Sequence, residues 1–358
     1  MAVCLQAWTE WVEWAAWTSK SRLTKASSGA SAPTGRAAWI FHAALLFLVD
    51  LWNCFVMTTV HILHENPEWI APYREAFSLA GMETREIFMN GGVIDLASSP
   101  PEGVYWSRVS ASALSRGHDL TAATAAATFD YLGLHGRRII NGLGALRLEM
   151  SKVAQHALLA VAGIDTPKTI AVIGTEGLET AAVNSEFARK PFVLKPNRGG
   201  KGLGVRLIDD LDDLRNKLPA IVKEPSADNV WLLQEYCPAP DQSITRLEFI
   251  GGKLHYAVRV QTGGDFELCP AEACALPGAP PMFEIGPVAD VDLTNRIGVF
   301  LKANEVEVAG VEYLRTSDGR QLVYDINTNT NYNREAEERA GVEPGPVALA
   351  KFIKTLAA

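Results

Sequence analysis

Val308-Ala-Gly-Val-Glu312 and Leu322-Val-Tyr-Asp325-Ile-Asn327 are two apolar runs separated by a turn at Ser317-Asp318-Gly319. Runs of this composition joined by such a turn predict a β-hairpin. Asp325 and Asn327 are two positions apart, so on a strand they project from one face, which Glu312 can reach from the partner strand. Two carboxylates and an amide oxygen are hard donors, better suited to Mg²⁺ shared with substrate phosphates than to a soft metal. A hairpin with merely solvated acids explains the tract less well. Glu312 and Asp325 are embedded in apolar runs, where an unpaired carboxylate is costly.

The second informative tract is Pro191-Phe-Val-Leu-Lys195-Pro-Asn-Arg-Gly199-Gly200-Lys201-Gly202-Leu-Gly204-Val205. An apolar strand ends at a lysine, and a glycine-rich loop leads to another strand at Val205 to Ile208. Glycines let backbone N–H groups turn towards an anion without Cβ obstruction, and the lysines add positive charge. No Ser or Thr follows Lys201, and the glycine spacing is not that of a dinucleotide fingerprint. A strand also follows the loop where both of those motifs need a helix. What remains is a glycine hairpin lying over a nucleotide.

Upstream, Leu148-Glu-Met-Ser-Lys152 opens a helical pattern that stops at Gly163, followed by Ile-Asp-Thr-Pro167. Downstream, Val230-Trp-Leu-Leu-Gln234-Glu235-Tyr236-Cys237 is an apolar strand running into a polar hinge. Taken in this order, the features resemble the ATP-grasp superfamily, most closely its RimK-like branch of carboxylate–amine ligases, from about Val60 to the C-terminus. The resemblance implies an α+β / α/β fold, with two subdomains gripping ATP behind a small α/β domain. It divides the chain into an extension at 1–56, a small domain at 57–145, and ATP-grasp subdomains at 146–226 (with the glycine-rich lid) and 227–358 (with the Mg site).

Residue by residue, Lys152 and Lys195 match the two lysines that touch nucleotide phosphates, and Asn197 to Gly204 matches the mobile lid, with Gly199, Gly200, Lys201, Gly202 and Gly204. Gln234, Glu235, Tyr236 and Cys237 match the linker that hydrogen-bonds adenine. Arg246 matches a basic residue of an Asp-x-Arg region whose acidic member is replaced here by Ile244. Arg259 matches the arginine that stabilises transferring phosphate and carboxylate oxygens, and it and Lys195 are the implied catalytic residues. Glu312, Asp325 and Asn327 match the magnesium triad. The family continues Ser-Pro-Gly after the last asparagine, whereas this chain continues Thr328-Asn-Thr-Asn-Tyr-Asn333.

The implied function is an ATP- and Mg²⁺-dependent ligase (Mn²⁺ as the alternative metal). It would form an amide between a small-molecule or peptide carboxylate and an amine through an acyl phosphate. The alternatives on the same scaffold are an ATP-binding regulatory protein and a small-molecule kinase. Phosphoryl transfer needs positioning and charge neutralisation more than a reactive nucleophile, and no Ser-His-Asp or Cys-His set stands out.

The chain has 358 residues, 48% hydrophobic and 21% charged, enough for two or three cores. A net charge of −8 and the lack of a basic block interleaved with aromatics argue against a nucleic-acid partner. Five cysteines, an odd number, suggest a reducing compartment, read as the cytoplasm. Cys269 and Cys274 have no second pair to complete a zinc site, and Glu267 and Glu272 are candidates for substrate contact. A homo-oligomer is compatible with the resemblance.

Strands are expected at Thr59 to His64, Glu83 to Phe88 and Gly103 to Ser110. Helices are expected at Pro67 to Ala80, Leu120 to His135, Arg334 to Ala340 and Val347 to Leu356, and Pro277 to Pro281 reads as a surface loop. Arg108, Arg116 and His118 could anchor an anionic substrate across the cleft, or sit in a solvated loop.

Residues 1–56 differ from the rest. Trp8, Trp11, Trp14 and Trp17 recur every three residues, and Ala37 to Leu48 is apolar apart from His42. The run is short for a membrane span and Asp50 interrupts it, so membrane association is disfavoured. The segment reads as an extension from an upstream start, with Met57 the working start.

Overall fold

Thr59–His64 (β1), Glu83–Phe88 (β2), Val104–Arg108 (β3) and Arg138–Ile140 (β4) form a sheet in the order β2-β1-β3-β4, with every pairing parallel. The computed structural model describes residues 58–200, 202–224, 226–262, 282–287 and 290–356. The expectations for 1–56, Lys201, Glu267, Cys269, Glu272, Cys274 and the Pro277 to Pro281 loop lie outside these residues.

A parallel sheet has to be covered on both faces. Helix Ala71–Leu79 (α1) covers one, packing Tyr73 and Phe77 with Val60, Ile62 and Trp106. Helix Thr121–Leu134 (α2) covers the other, packing Phe129 and Leu132 with Leu63 and Tyr105. The expected helix from Pro67 to Ala80 is divided into a 3₁₀ turn, Pro67–Ile70, and α1. Pro72 has no N–H to return to the preceding turn, so the α-helix starts there.

Leu143–Met150 (α3) and Lys152–Val161 (α4) replace the single helix suggested by the pattern up to Gly163. Ser151 is extended (φ −147, ψ 108) and caps α4 by accepting from the Ala154 N–H. The Asn197 side chain accepts from the Val153 N–H at 2.8 Å. The break gives α4 a fresh, capped N-terminus with Lys152 as its first residue.

The second sheet, in the order β5-β8-β6-β7, comprises Thr169–Ile173 (β5), Phe192–Pro196 (β6), Arg206–Ile208 (β7) and Val230–Glu235 (β8), all antiparallel. Phe192, Leu194, Trp231 and Leu233 pack on helices Leu178–Val183 (α5) and Leu211–Lys223 (α6). Strand alternation therefore turns Val193, Lys195 and Gln234 to the opposite face.

The third sheet, in the order β11-β10-β9-β12-β13, comprises Ser243–Ile250 (β9), Lys253–Gln261 (β10), Phe283–Gly286 (β11), Val308–Arg315 (β12) and Gln321–Asn327 (β13). Leu247, Phe249, Val311, Tyr313 and Val323 pack on Ile297, Phe300 and Leu301 of helix Val291–Ala303 (α7). The hairpin expected at the end of the chain is β12–β13. Helix Arg334–Ala340 (α8) is capped by Asn333 and ends at Gly341 (φ 64), as its sequence predicts. Helix Gly345–Leu356 (α9) returns Leu349 and Ile353 to the core of the first sheet. Among the described residues no helix is long and apolar enough to cross a membrane.

Asn141 ties the first sheet to the third. It is buried and left-handed (φ 55), a conformation asparagine tolerates better than most residues. Its Nδ2 donates to the Val308 and Thr328 carbonyls at 2.7 and 2.8 Å, and its Oδ1 accepts from Glu307 and Val308 N–H groups at 3.0 Å each. Asn141→Ala leaves four backbone groups without this partner, three of them in buried bonds, and strains the backbone. The expected destabilisation is about 3–5 kcal/mol, read as a lower urea midpoint. Asn141→Asp should recover little of it, because the two donated bonds are still lost.

Candidate functional site

Arg246 on β9 lies directly opposite Glu312 on β12, and Glu312 lies opposite Asp325 on β13. Directly opposed residues share a face, so three charged side chains stand in a row across three strands. The register slips between Glu312 and Tyr313, leaving Tyr324 as the extra residue of a bulge. The Tyr324 hydroxyl donates to Glu312 Oε2 at 3.0 Å. Asn327, two residues beyond Asp325, lies with its Nδ2 3.4 Å from Glu312 Oε1.

Each carboxylate in the row has a cation. Arg246 Nη1 donates to Glu312 Oε1, Nε to Glu248 Oε1 and Nη2 to Thr330 Oγ1, each at 2.6 Å. Gly310 makes this possible, since a Cβ there would collide with the guanidinium. Lys152, at the start of α4, forms an ion pair with Asp325. Burial pushes the Asp325 carboxyl up, but Lys152, Lys195 and Arg246 outweigh it and hold it below the usual range. Burial raises Glu312 despite Arg246. Burial also lowers Lys152, yet Asp325, Glu149 and Glu312 together keep its ammonium above the ordinary lysine value.

Lys195 behaves differently. It is buried, and burial followed by repulsion from Lys152 pushes it down to about 7. Behind it, burial and then Lys195 and Lys152 lower His156 to about 3, so its imidazole is neutral and meets Gln234 Nε2 at 2.9 Å.

Lys152, Lys195, Arg246, Glu312, Asp325 and Asn327 all line one cleft of about 480 Å³, together with Gly199, Gly200 and Gly202. Gly202 and Gly204 have φ of +70 and +75, a backbone that needs glycine. A Cβ on Gly200 would fall 2.8 Å from Ser112 Cβ, so the glycine loop rests on the segment after β3. A second cavity of about 290 Å³ shares Val193, Gln234 and Tyr324 with the first. Glu235, Tyr236 and Cys237 line it. Glu235 accepts from the Lys168 N–H and from Arg320, both at 3.2 Å. Burial pushes the Cys237 thiol up to about 12, which leaves it unreactive.

Arg259 is not brought to the cleft. It pairs across β9 with Thr245, so alternation turns it to the face opposite Arg246. There it donates to Ser243 Oγ at 3.0 Å and to Asp241 at 2.8 Å and is largely exposed. Arg116 and His118 are also engaged, both on the fully buried Glu65. Arg108 is buried against the rings of Tyr73 and Trp106.

Sequence reading missed Glu149, Glu248, Asn329, Asn331 and Tyr332, which also line the cleft. Glu149 accepts from the Ala111 N–H, the Thr328 N–H and the Thr328 hydroxyl, and burial raises its pKa. Its position three residues before Lys152 was the available signal.

Glu312, Asp325 and Asn327 present hard oxygens on one face, which fits a divalent cation such as Mg²⁺. Among the described residues no group of three or more His, Cys, Asp and Glu side chains gathers for a metal. Such an ion would therefore complete its shell with water and substrate oxygens.

The chain matches several relatives. Over 201 residues it is 28% identical to a "Probable alpha-L-glutamate ligase" of Xanthomonas campestris pv. campestris (strain B100), covering 56% of this chain and 63% of the relative. A protein with the same description from Xanthomonas oryzae pv. oryzae (strain MAFF 311018) is 29% identical over 191 residues, covering 52% and 59%. The match thus spans less than two thirds of these curated relatives.

Among solved structures, the RimK domain protein ATP-grasp from Sphaerobacter thermophilus DSM 20745 superposes with a TM-score of 0.60 at 20% identity, covering 82% of this chain and 99% of that one. D-alanine–D-alanine ligase from Bacillus anthracis complexed with ATP gives 0.59 at 15%, covering 84% and 98%. These likenesses identify the fold as ATP-grasp, with the second and third sheets facing each other across the cleft and the parallel sheet preceding them. The family described as RimK-like ATP-grasp domain matches residues 150–343, more than half of the sequence, and the chain belongs to that family.

Proposed function

We propose that the chain is an ATP- and Mg²⁺-dependent ligase of the acid–amino-acid type, joining a carboxylate to an amine. The observation that carries this reading is the convergence of Lys152, Lys195 and Arg246 with Glu312, Asp325 and Asn327 in one cleft. The ATP-grasp fold and the description of its relatives as probable glutamate ligases support it.

A carboxylate oxygen would take the γ-phosphoryl group of ATP, releasing ADP. The amine would then attack the acyl carbon, displace phosphate and lose a proton, leaving an amide. Lys152 supplies fixed positive charge to phosphate oxygens, Lys195 adds its own once their charge holds its proton, and Arg246 takes the part that the resemblance assigned to Arg259. When bound at Glu312, Asp325 and Asn327, Mg²⁺ or Mn²⁺ neutralises phosphate charge and aligns it for transfer. Gln234 to Cys237 offer the adenine backbone and side-chain polar groups, and Gly199, Gly200 and Gly202 offer the phosphates a backbone without side chains. ATP use and the odd cysteine count fit a cytoplasmic enzyme.

The test is ADP release from Mg-ATP with pooled carboxylates and amino acids, followed by product mass. The expected result is release that needs both substrates, and a product whose mass is their sum less one water. A stable phosphorylated product would favour a kinase instead. Nucleotide binding without ADP release would favour a regulatory protein.

A further inference from the structure

Beyond Asn327 the chain runs Thr328-Asn-Thr-Asn-Tyr332 along the wall of the cleft. Thr328 and Thr330 are buried and bonded inward, to Glu149 and Glu248. Asn329, Asn331 and Tyr332 line the cleft. Both amide atoms of Asn329 and the Tyr332 hydroxyl are buried with no hydrogen-bond partner among the described residues. Polar atoms in that position are costly unless a ligand completes them.

Asn331 is oriented from behind. Its Oδ1 accepts from Arg108 Nη2 at 2.6 Å, which leaves its Nδ2 as the outward-facing end. The guanidinium of Arg108 otherwise bonds to the Thr330 carbonyl and lies 4.9 Å from the Tyr73 ring. Among the described residues no carboxylate lies within ion-pair distance of Arg108. Amide and hydroxyl donors backed by a buried cation favour an anion, and neutral donors on flat amide groups suit a planar carboxylate. Asn329 Oδ1 adds an acceptor, which suits an ammonium group on the same molecule.

We propose that Asn329, Asn331 and Tyr332 form the subsite for the non-reacting α-carboxylate of an amino-acid substrate, with Arg108 as the positioning residue behind it. This rests on the ligase reading for the identity of the cleft, but it can be tested without turnover.

The experiment is saturation-transfer NMR of the full chain with the twenty common L-amino acids and their α-carboxamides. At least one free acid should bind, with its carboxamide at least tenfold weaker. Asn331→Asp keeps an oxygen for Arg108, and so the fold, but turns negative charge to the cleft. It should weaken that acid at least thirtyfold and shrink the acid–carboxamide difference below threefold, with ATP affinity changed less than twofold. Asn329→Ala should weaken the acid and the carboxamide alike. The subsite is rejected if no acid binds, if acid and carboxamide bind equally to the unsubstituted protein, or if Asn331→Asp leaves the acid within threefold. ADP release in the pooled screen together with any of these outcomes would leave the ligase reading standing without this subsite. Acid binding as described, without ADP release under any pairing, would keep the subsite and reject the ligase.

Discussion

Asp325→Asn is expected to bring ADP formation below ~10⁻³ of the unsubstituted rate while the protein stays folded. The substitution keeps the shape of the side chain but removes the charge that faces Lys152 and neighbours Glu312. Two losses coincide. A divalent cation held in the row would lose a hard anionic ligand, and the partly buried Lys152 ammonium loses its partner, which costs about 1–3 kcal/mol of stability. Asn327→Ala separates the two, because it removes an amide oxygen without touching Lys152. If the row holds Mg²⁺, Asn327→Ala should need at least ~10-fold more Mg²⁺ for half-maximal turnover. A dead Asp325→Asn beside an Asn327→Ala with unchanged Mg²⁺ dependence would make Asp325 a partner of Lys152 alone. Near-normal turnover of both variants at millimolar Mg²⁺ would remove the metal from this row altogether.

The second large effect is in pH. Lys195 is held down at about 7 by burial and then by Lys152, so in the free protein its amine is mostly neutral at pH 9. Polyphosphate beside it raises that pKa, and binding therefore takes up a proton. Nucleotide phosphates are fully ionised above pH 7.5, so uptake in that range reports the protein. Calorimetry in buffers of different ionisation enthalpy should find close to one proton per nucleotide at pH 9 and far less at pH 6.5. Affinity should fall by up to ~10-fold per pH unit above 7.

Lys195→Met should abolish the uptake and lower affinity by ~10²-fold. Lys201→Ala, at a position outside the described residues, should lose much less. The unliganded protein carries the converse signature. Between pH 7 and 10.5 the unfolded chain binds more protons at this lysine than the folded one does, so stability rises with pH across that window. Uptake that persists in Lys195→Met would assign the titration to another group.

The parts of the fold that were legible are those where local chemistry and tertiary outcome agree. Ser317-Asp318-Gly319 joins two apolar runs and makes the β12–β13 hairpin, and Asn333 and Gly341 bracket α8. The strand that carries Lys195 and the strand ending at Glu235 fall where apolar runs meet polar residues. What stayed hidden depends on register and on distant partners. Arg246 and Arg259 look alike in sequence, and only the pairing of β9 with β10 and β12 decides which one faces the cleft. The bulge at Tyr324 likewise has no local signature, although it turns Tyr324 and Asp325 to the same side. Ser151 broke a helical pattern because Asn197, forty-six residues away in sequence, supplies a cap that no local window contains.

Gly310 would be dismissed in a sequence as a weak point in a strand, yet it constrains how this cleft can change. Any side chain there pushes the Arg246 guanidinium off its path, leaving Glu248 and Glu312 buried together without their shared counter-ion. The substitutions therefore have an order. A larger residue at position 310 is tolerable only after Arg246 and at least one of the two acids have been neutralised, and taken first it should unfold or inactivate the protein. Redesign of this pocket for new substrates has to treat positions 246, 248, 310 and 312 as a single heritable unit, whereas the asparagine wall beyond Asn327 can vary one residue at a time.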